Sequence, residues 1–205
     1  MLSAETAAVP QDLIWRMGVE HYHAMIRSGI LTDDDPVELL EGWLVFKMPK
    51  NPPHRAATRL IREALESIIP ADWYVDSQEP ITLADSEPEP DVVVIRGDTR
   101  QYLDRHPGPG EVGLVIEVSD TTLQRGKRSH ALGYRTSKKR AYARAGIPTY
   151  WIVNLPEKHI EAYSQPTAAA GATYELRQDY SLTSNIPVRL ETTCIGLLPV
   201  NELLP

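Results

Sequence analysis

Short apolar runs and longer stretches of helical periodicity share this chain, and together they predict a mixed fold. Val92-Val-Val-Ile95 and Gly113-Leu-Val-Ile-Glu-Val118 are brief, rich in β-branched residues and bounded by Gly, Pro or polar positions. That pattern predicts strands buried on at least one face. Trp73–Val75, Ile81–Leu83, Tyr150–Val153 and Ile160–Tyr163 read the same way. Behind Pro52-Pro53, the residues Ala57, Leu60, Ile61, Ala64, Leu65 and Ile68 recur at helical spacing, predicting a helix from His54 to about Ile69 that Pro70 ends. Tyr22, Met25 and Ile26 predict a helix over Val19–Arg27 that stops near Gly29, and Thr136–Ala145 predicts another, stopped by Gly146 and Pro148. Val37 to Met48 reads as a hairpin turning at Glu41-Gly42. The Ala/Gly-rich stretch Gln165–Thr173 predicts a mobile loop, and the tail from Ile186 to Leu204 predicts edge strands.

At 205 residues the chain can bury one sizeable core. Neither a linker nor an internal repeat interrupts it. The expected organisation is a flexible N-terminus over 1–16 and a single domain over 17–205. Within that domain we distinguish an N-terminal helix and hairpin (17–50), a core (54–163) and C-terminal strands (174–205). No apolar stretch approaches the roughly 20 residues that span a bilayer, so no membrane partner is expected. The first ten residues lack a basic segment followed by an apolar block, which argues against a secretory signal. Cys194 is the single cysteine; it excludes an intrachain disulfide and a multi-cysteine zinc site and fits a reducing, cytoplasmic setting.

Two acidic residues change this picture. Glu117 interrupts an apolar run, and Asp91 opens another directly after Pro90. A carboxylate in such a place is costly to ionise unless a cation, a proton or a metal lies beside it. A strand cap and an outward-facing strand end are the plainer readings of the pair. Charge adds a second asymmetry. The chain carries a net charge of −7, yet Thr121–Pro156 contains no Asp or Glu. Arg125, Lys127, Arg128, Arg135, Lys138, Lys139, Arg140 and Arg144 fall in that window, leaving 13 basic against 28 acidic residues elsewhere. Such polarisation can mark a phosphate-facing surface on an acidic body, or a solvated helix flank.

The order helix, three strands, helix, strand, with Pro-Asp opening one strand and Glu inside the next, resembles the core of the PD-(D/E)XK nuclease superfamily. Within it the chain is similar to the Uma-type restriction endonuclease family. The matching stretches are Val19-Glu-His-Tyr22, Gly29-Ile-Leu31, Val37-Glu-Leu-Leu-Glu-Gly42, Pro53-His54, Glu89-Pro-Asp-Val-Val-Val94, Leu114 to Leu123 and Ala141 to Val153. The fold implied is α/β (α+β): a restriction-endonuclease-like core whose mixed central β-sheet is flanked by helices, with an N-terminal helix and β-hairpin added.

The resemblance implies a metal-dependent endonuclease acting on DNA. Its catalytic residues would be Glu38, Asp91, Glu117 and Lys138. Asp91, Glu117 and the backbone carbonyl of Val118 would hold Mg²⁺ (or Mn²⁺), which activates water and offsets charge on the phosphate. His54, Lys127, Lys139 and Arg140 are the expected nucleic-acid contacts. Three departures stand out. Ser119 occupies the position two past Glu117 where the superfamily usually has Lys. Lys138, four residues before Tyr142, matches a lysine moved to the following helix, but Tyr134 stands where the family usually has Asp. Residues 124–131 read as an insertion before that helix. These departures keep alive a second class, a catalytically impaired nuclease fold serving as a nucleic-acid or protein-binding module. His21 and His23, two apart on a helix, splay too widely to share a metal. Cutting both strands of a duplex calls for two related sites, so a homodimer is the expected assembly.

Overall fold

The computed structural model describes residues 13–32, 34–120, 125–168 and 171–205, and the side chains of all of these except 125–132. Helix α1 (Val19–Arg27) leads into the hairpin of β1 (Val37–Leu40) and β2 (Trp43–Phe46). Glu41 and Gly42 have φ of 50° and 78°. Two positive φ values in succession give the turn whose twist matches antiparallel strands. Of the apolar residues expected to pack from α1, Tyr22 is buried whereas Ile26 is exposed.

Helix α2 (Pro52–Glu66) starts on Asn51, whose side chain accepts from the His54 N–H. The two prolines occupy the first turn, where a missing N–H costs nothing. Ala57, Ile61 and Leu65 form its buried stripe.

The central sheet has the order β3 (Trp73–Asp76), β4 (Val92–Arg96), β5 (Val112–Ser119), β6 (Thr149–Asn154), β7 (His159–Thr167), β8 (Thr173–Ser181). Only β5 and β6 are parallel. Helix α3 (Arg125–Arg144) connects them, as a parallel pair requires. Alternation within the strands sends side chains to two cores. Val92, Val94, Leu114, Ile116, Val118, Trp151 and Val153 pack toward α2, the ribbon of β9 (Asn185–Leu190) and β10 (Thr193–Pro199), and helix α4 (Val200–Leu203). Val93, Ile95, Val115 and Ile152 face Ala141, Tyr142 and Ala143 of α3. Glu117 continues the Val115 row and therefore falls on the α3 side.

Four expectations change. Ile81 and Leu83 are buried but form no strand; the Ile81, Thr82 and Leu83 N–H groups donate to the carbonyls of Pro88, Pro107 and Ser86. Their alternation reflects a packed loop. Helix α3 begins at Arg125 rather than Thr136, so most of the apparent insertion over 124–131 consists of helical turns. The polar sequence there lacks an apolar stripe, which hid them. Strands β9 and β10 pair only with each other, while β8 forms the sheet edge. The stretch read as a loop over 165–173 is partly strand, since β7 runs to Thr167 and β8 starts at Thr173; residues 169–170 lie outside the described residues. Most of the 1–16 segment also lies outside them. No described helix is long and apolar enough to cross a membrane.

Candidate active site

Antiparallel pairing of Val92 with Ile116 sets the start of β4 beside the end of β5, and this register brings Asp91 next to Glu117. Four other segments wall the resulting cavity of about 210 Å³. The hairpin supplies Glu38, the segment after it Lys47 and Lys50, the first turn of α2 His54, and α3 Tyr134 and Lys138. Leu39 bridges to Glu87, and the Glu89 N–H donates to Glu38 Oε2 at 3.0 Å, so the hairpin is tied to the strand that carries Asp91.

Asp91 is buried, and both of its hydrogen bonds fall on Oδ2, from the Val118 N–H at 2.8 Å and from His54 Nε2 at 3.0 Å. Lys50 Nζ lies 3.8 Å from the other oxygen, Oδ1. Burial alone would raise the Asp91 carboxyl, but the His54 contact, Lys138 and the Val118 N–H outweigh it and hold the group below the usual aspartate value. Glu117 behaves oppositely. Burial, only partly offset by Lys138, pushes its carboxyl up to about 7, and Asp91 adds to the rise. Its Oε1 accepts from the Tyr142 hydroxyl at 2.7 Å and pairs with Lys138 Nζ at 3.0 Å.

Lys138 reaches this place from α3. Its ammonium donates to the Glu89 carbonyl at 2.9 Å, lies 3.5 Å from Glu38 Oε2, and sits 4.9 Å from the centroid of the Tyr134 ring. Burial opposes its charge, but Glu117 and Glu38 overcome this and hold the ammonium well above the ordinary lysine value. Lys138 is therefore a fixed positive charge at neutral pH and not a free base.

Four of the expected site residues, Glu38, Asp91, Glu117 and Lys138, meet in one cavity, which Val118 also lines. His54 joins them through Asp91 and makes no bond to Glu38. The expected basic contacts diverge. Arg140 pairs with Glu41 at the hairpin turn, where Arg144 also binds Glu41 and Asp85. Lys139 stands over the Tyr163 ring, 4.1 Å from its centroid. The Lys127 side chain lies outside the described residues. Of the excluded histidine pair, His23 contacts Glu87 at 2.7 Å and His21 is exposed.

The donor set fits a hard divalent cation. Among the described residues the hydrogen bonds to Asp91 fall on Oδ2 and those to Glu117 on Oε1, with none on Oδ1 or Oε2. Among the described residues Glu38 Oε1 is buried without a hydrogen-bond partner. Glu38 and Glu117 share the Lys138 ammonium, and burial, with Asp91 adding to it, raises the Glu117 carboxyl. Among the described residues no three His, Cys, Asp or Glu side chains converge as a ready cage. An ion held by Asp91 and Glu117 would therefore complete its shell with backbone oxygen and water, as Mg²⁺ commonly does.

Comparison with known proteins decides the family. The family model Uma2, described as "Putative restriction endonuclease", matches residues 19–193. The chain belongs to the Uma2 family. Its fold is similar to the crystal structure of "a putative nuclease belonging to DUF820" from Anabaena variabilis. That similarity has a TM-score of 0.57 at 15% identity and covers 86% of this chain and 94% of the other. It shows that the two chains share a fold. No curated protein matches it.

Sequence reasoning missed three contributors to the cavity. Lys50 follows the hairpin in the run Lys47-Met-Pro-Lys50, which looks like an ordinary polar connection. Glu89 acts through its backbone, which no side-chain pattern reveals. Tyr134 reads as a loss of Asp, yet it puts an aromatic face against Lys138.

Proposed function

We propose that this Uma2 chain is a metal-dependent endonuclease that hydrolyses DNA phosphodiester bonds. The observation that carries the reading is the convergence of Asp91, Glu117 and Lys138 from two strand ends and a separate helix on one cavity. Asp91 and Glu117, with the Val118 carbonyl, would hold Mg²⁺ or Mn²⁺; when bound, the ion supplies Lewis-acid charge and lowers the pKa of water. The chain's own groups do the positioning. His54 and the Val118 N–H fix the Asp91 carboxylate, and Tyr142 fixes Glu117. Lys138 presents a permanent ammonium that orients the attacking water and offsets charge gathering on the phosphate oxygens. Glu38 holds that ammonium in place at 3.5 Å.

Nicking of supercoiled plasmid by purified protein with Mg²⁺ or Mn²⁺ tests this. Asp91→Asn, Glu117→Gln and Lys138→Met should each abolish nicking. Retained nicking in Asp91→Asn would sink the proposal. A second reading, a nuclease fold kept for binding, draws on one observation: Lys138 already partly neutralises Glu117 and Glu38. Tight DNA binding with no cleavage in either metal would favour it.

Double-strand cutting further suggests a homodimer. Among the described residues strand β2 pairs on one side only, and it exposes Trp43, Leu44 and Phe46. An unpaired apolar edge of this kind is suited to pairing with a second copy. Light scattering that returns the monomer mass of 22.9 kDa at all working concentrations would remove this part.

A further inference from the structure

Beside the cavity, on the same face of the sheet, lies a cluster of cations that the cleavage chemistry does not use. Arg135 lines the cavity wall, and Lys139 follows it by four residues on α3, so the two share a helix face. That face turns away from Lys138 toward β7 and β8. There Arg135 pairs with the buried Glu161, which also accepts from the Tyr163 hydroxyl at 2.5 Å. Lys139 Nζ lies 4.1 Å, and Arg177 Cζ 5.8 Å, from the centroid of the same Tyr163 ring.

The charges do not balance there. Glu161 serves Arg135 directly and stands 3.6 Å from Arg177. The remaining acid, Asp179, holds Arg177 in a half-exposed pair, which water and salt weaken readily. No ion pair ties Lys139 among the described residues. Burial, partly offset by Glu161, and then the neighbouring Arg177 and Arg135 guanidiniums hold its ammonium below the ordinary lysine value. Cations gathered against mutual repulsion are relieved by an anion. An aromatic ring beneath them keeps the lysine in place without consuming its charge.

We infer that Arg135, Lys139 and Arg177, arranged around Tyr163, form a phosphate-binding shelf for the backbone of the DNA strand that leaves the cavity. The inference rests on the nuclease reading for the identity of its ligand. Arg135 joins the two regions, so a strand seated at Asp91 and Glu117 would pass over the β7–β8 edge and place a phosphate between Lys139 and Arg177. The chemistry required is that of a phosphodiester: dispersed single negative charges with several acceptor oxygens, which guanidinium and ammonium groups recognise without reading sequence.

Fluorescence anisotropy with a short fluorescein-labelled duplex, measured in the Asp91→Asn background over a salt series, tests the shelf. Lys139→Gln and Arg177→Gln should each weaken binding several-fold and reduce the slope of log K against log salt by about one. Lys139→Arg should bind like its parent. Arg59→Gln removes an equally charged side chain from the exposed face of α2 and should change nothing. Circular dichroism melting of each variant guards against loss of fold; because Arg177 is half-exposed, that variant keeps the test available if Lys139→Gln unfolds. If both shelf variants behave like Arg59→Gln while the unmodified protein nicks plasmid, the shelf is wrong and the nuclease reading stands. If they lose binding although the unmodified protein never cuts, the shelf stands and the nuclease reading falls. Absence of any DNA binding overturns the shelf outright.

Discussion

Replacing Lys138 with methionine should destabilise the protein in a way that depends strongly on pH. Methionine keeps most of the packing volume but removes the one ammonium among the described residues within ion-pair distance of both Glu117 and Glu38. Removing one partner of a buried pair typically costs about 3–5 kcal/mol, because the remaining charge is left uncompensated. Glu117 has a way to avoid that cost, since its carboxyl is already raised from 4.5 to about 7. The folded state therefore binds the Glu117 proton more tightly than the unfolded state does. For such a group, stability is fully present below the unfolded value and is lost as pH rises through the folded one. In the unmodified protein this loss falls between about pH 4.5 and 7, on the order of 3 kcal/mol. Without Lys138 the folded-state value rises further, so the loss extends to higher pH. The part of the Lys138→Met cost that comes from Glu117 should thus be small near pH 5 and approach about 3–5 kcal/mol near pH 8, added to the pairing lost at Glu38. Urea unfolding of metal-free protein, followed by tryptophan fluorescence, to which buried Trp73 and Trp151 contribute, measures it. A cost that is the same at pH 5 and pH 8 would refute the reasoning. Glu117→Gln in the same background should recover much of the stability at pH 8, because it removes the charge left behind.

Three further outcomes follow from other parts of the molecule. Gly113→Ala should cost about 1–3 kcal/mol, read as a lower melting temperature, because the new Cβ would stand 2.7 Å from Trp73 and 2.8 Å from Leu190, both in the core. Glu161 has a carboxyl held low by Arg135 and Tyr163 against the effect of burial, so its contribution is present above pH 4.5 and lost on acidification. Glu161→Gln should accordingly lower stability at pH 7 by about 1.5–3 kcal/mol and flatten the unfolding profile below pH 4.5. Adding Ser119→Lys to Lys138→Met should restore part of the plasmid nicking, since Ser119 lines the same cavity; a folded double variant as inactive as Lys138→Met would contradict this.

What the sequence disclosed and what it hid divide along physical lines. The buried strands of the central sheet were legible because each is a run of β-branched residues with sharp boundaries. Asp91 and Glu117 were legible because a carboxylate inside such a run needs a reason. The first half of α3 was not, since Arg125 to Tyr134 offers no apolar stripe for periodicity to detect. Ile81–Leu83 misled because alternating burial does not require a strand partner; their N–H groups instead bind nearby loop carbonyls. The basic window was legible only as composition. Neighbouring residues on a helix point about 100° apart, and Lys138, Lys139 and Arg140 accordingly reach three places: the cavity, the Tyr163 ring and Glu41.

On the proposed reading, that divergence would let a helix lysine stand in for one at the Ser119 position of β5. On β5, Ser119 lies two residues beyond Glu117, so a lysine there would project from the same face of the sheet. Helix α3 packs across that very face, with Tyr142 buried against it and bonded to Glu117. Tyr142 thereby sets the rotation of the helix, and Lys138, one turn earlier, is directed at the same carboxylate from above. The long methylene stem covers the remaining distance, and the Glu89 carbonyl and Glu38 catch its end. A buried carboxylate pair at two strand ends is eased by a nearby ammonium of suitable reach. It does not demand that the ammonium come from any particular element. Sequence position is therefore a weaker guide to this site than the face of the sheet on which each group emerges.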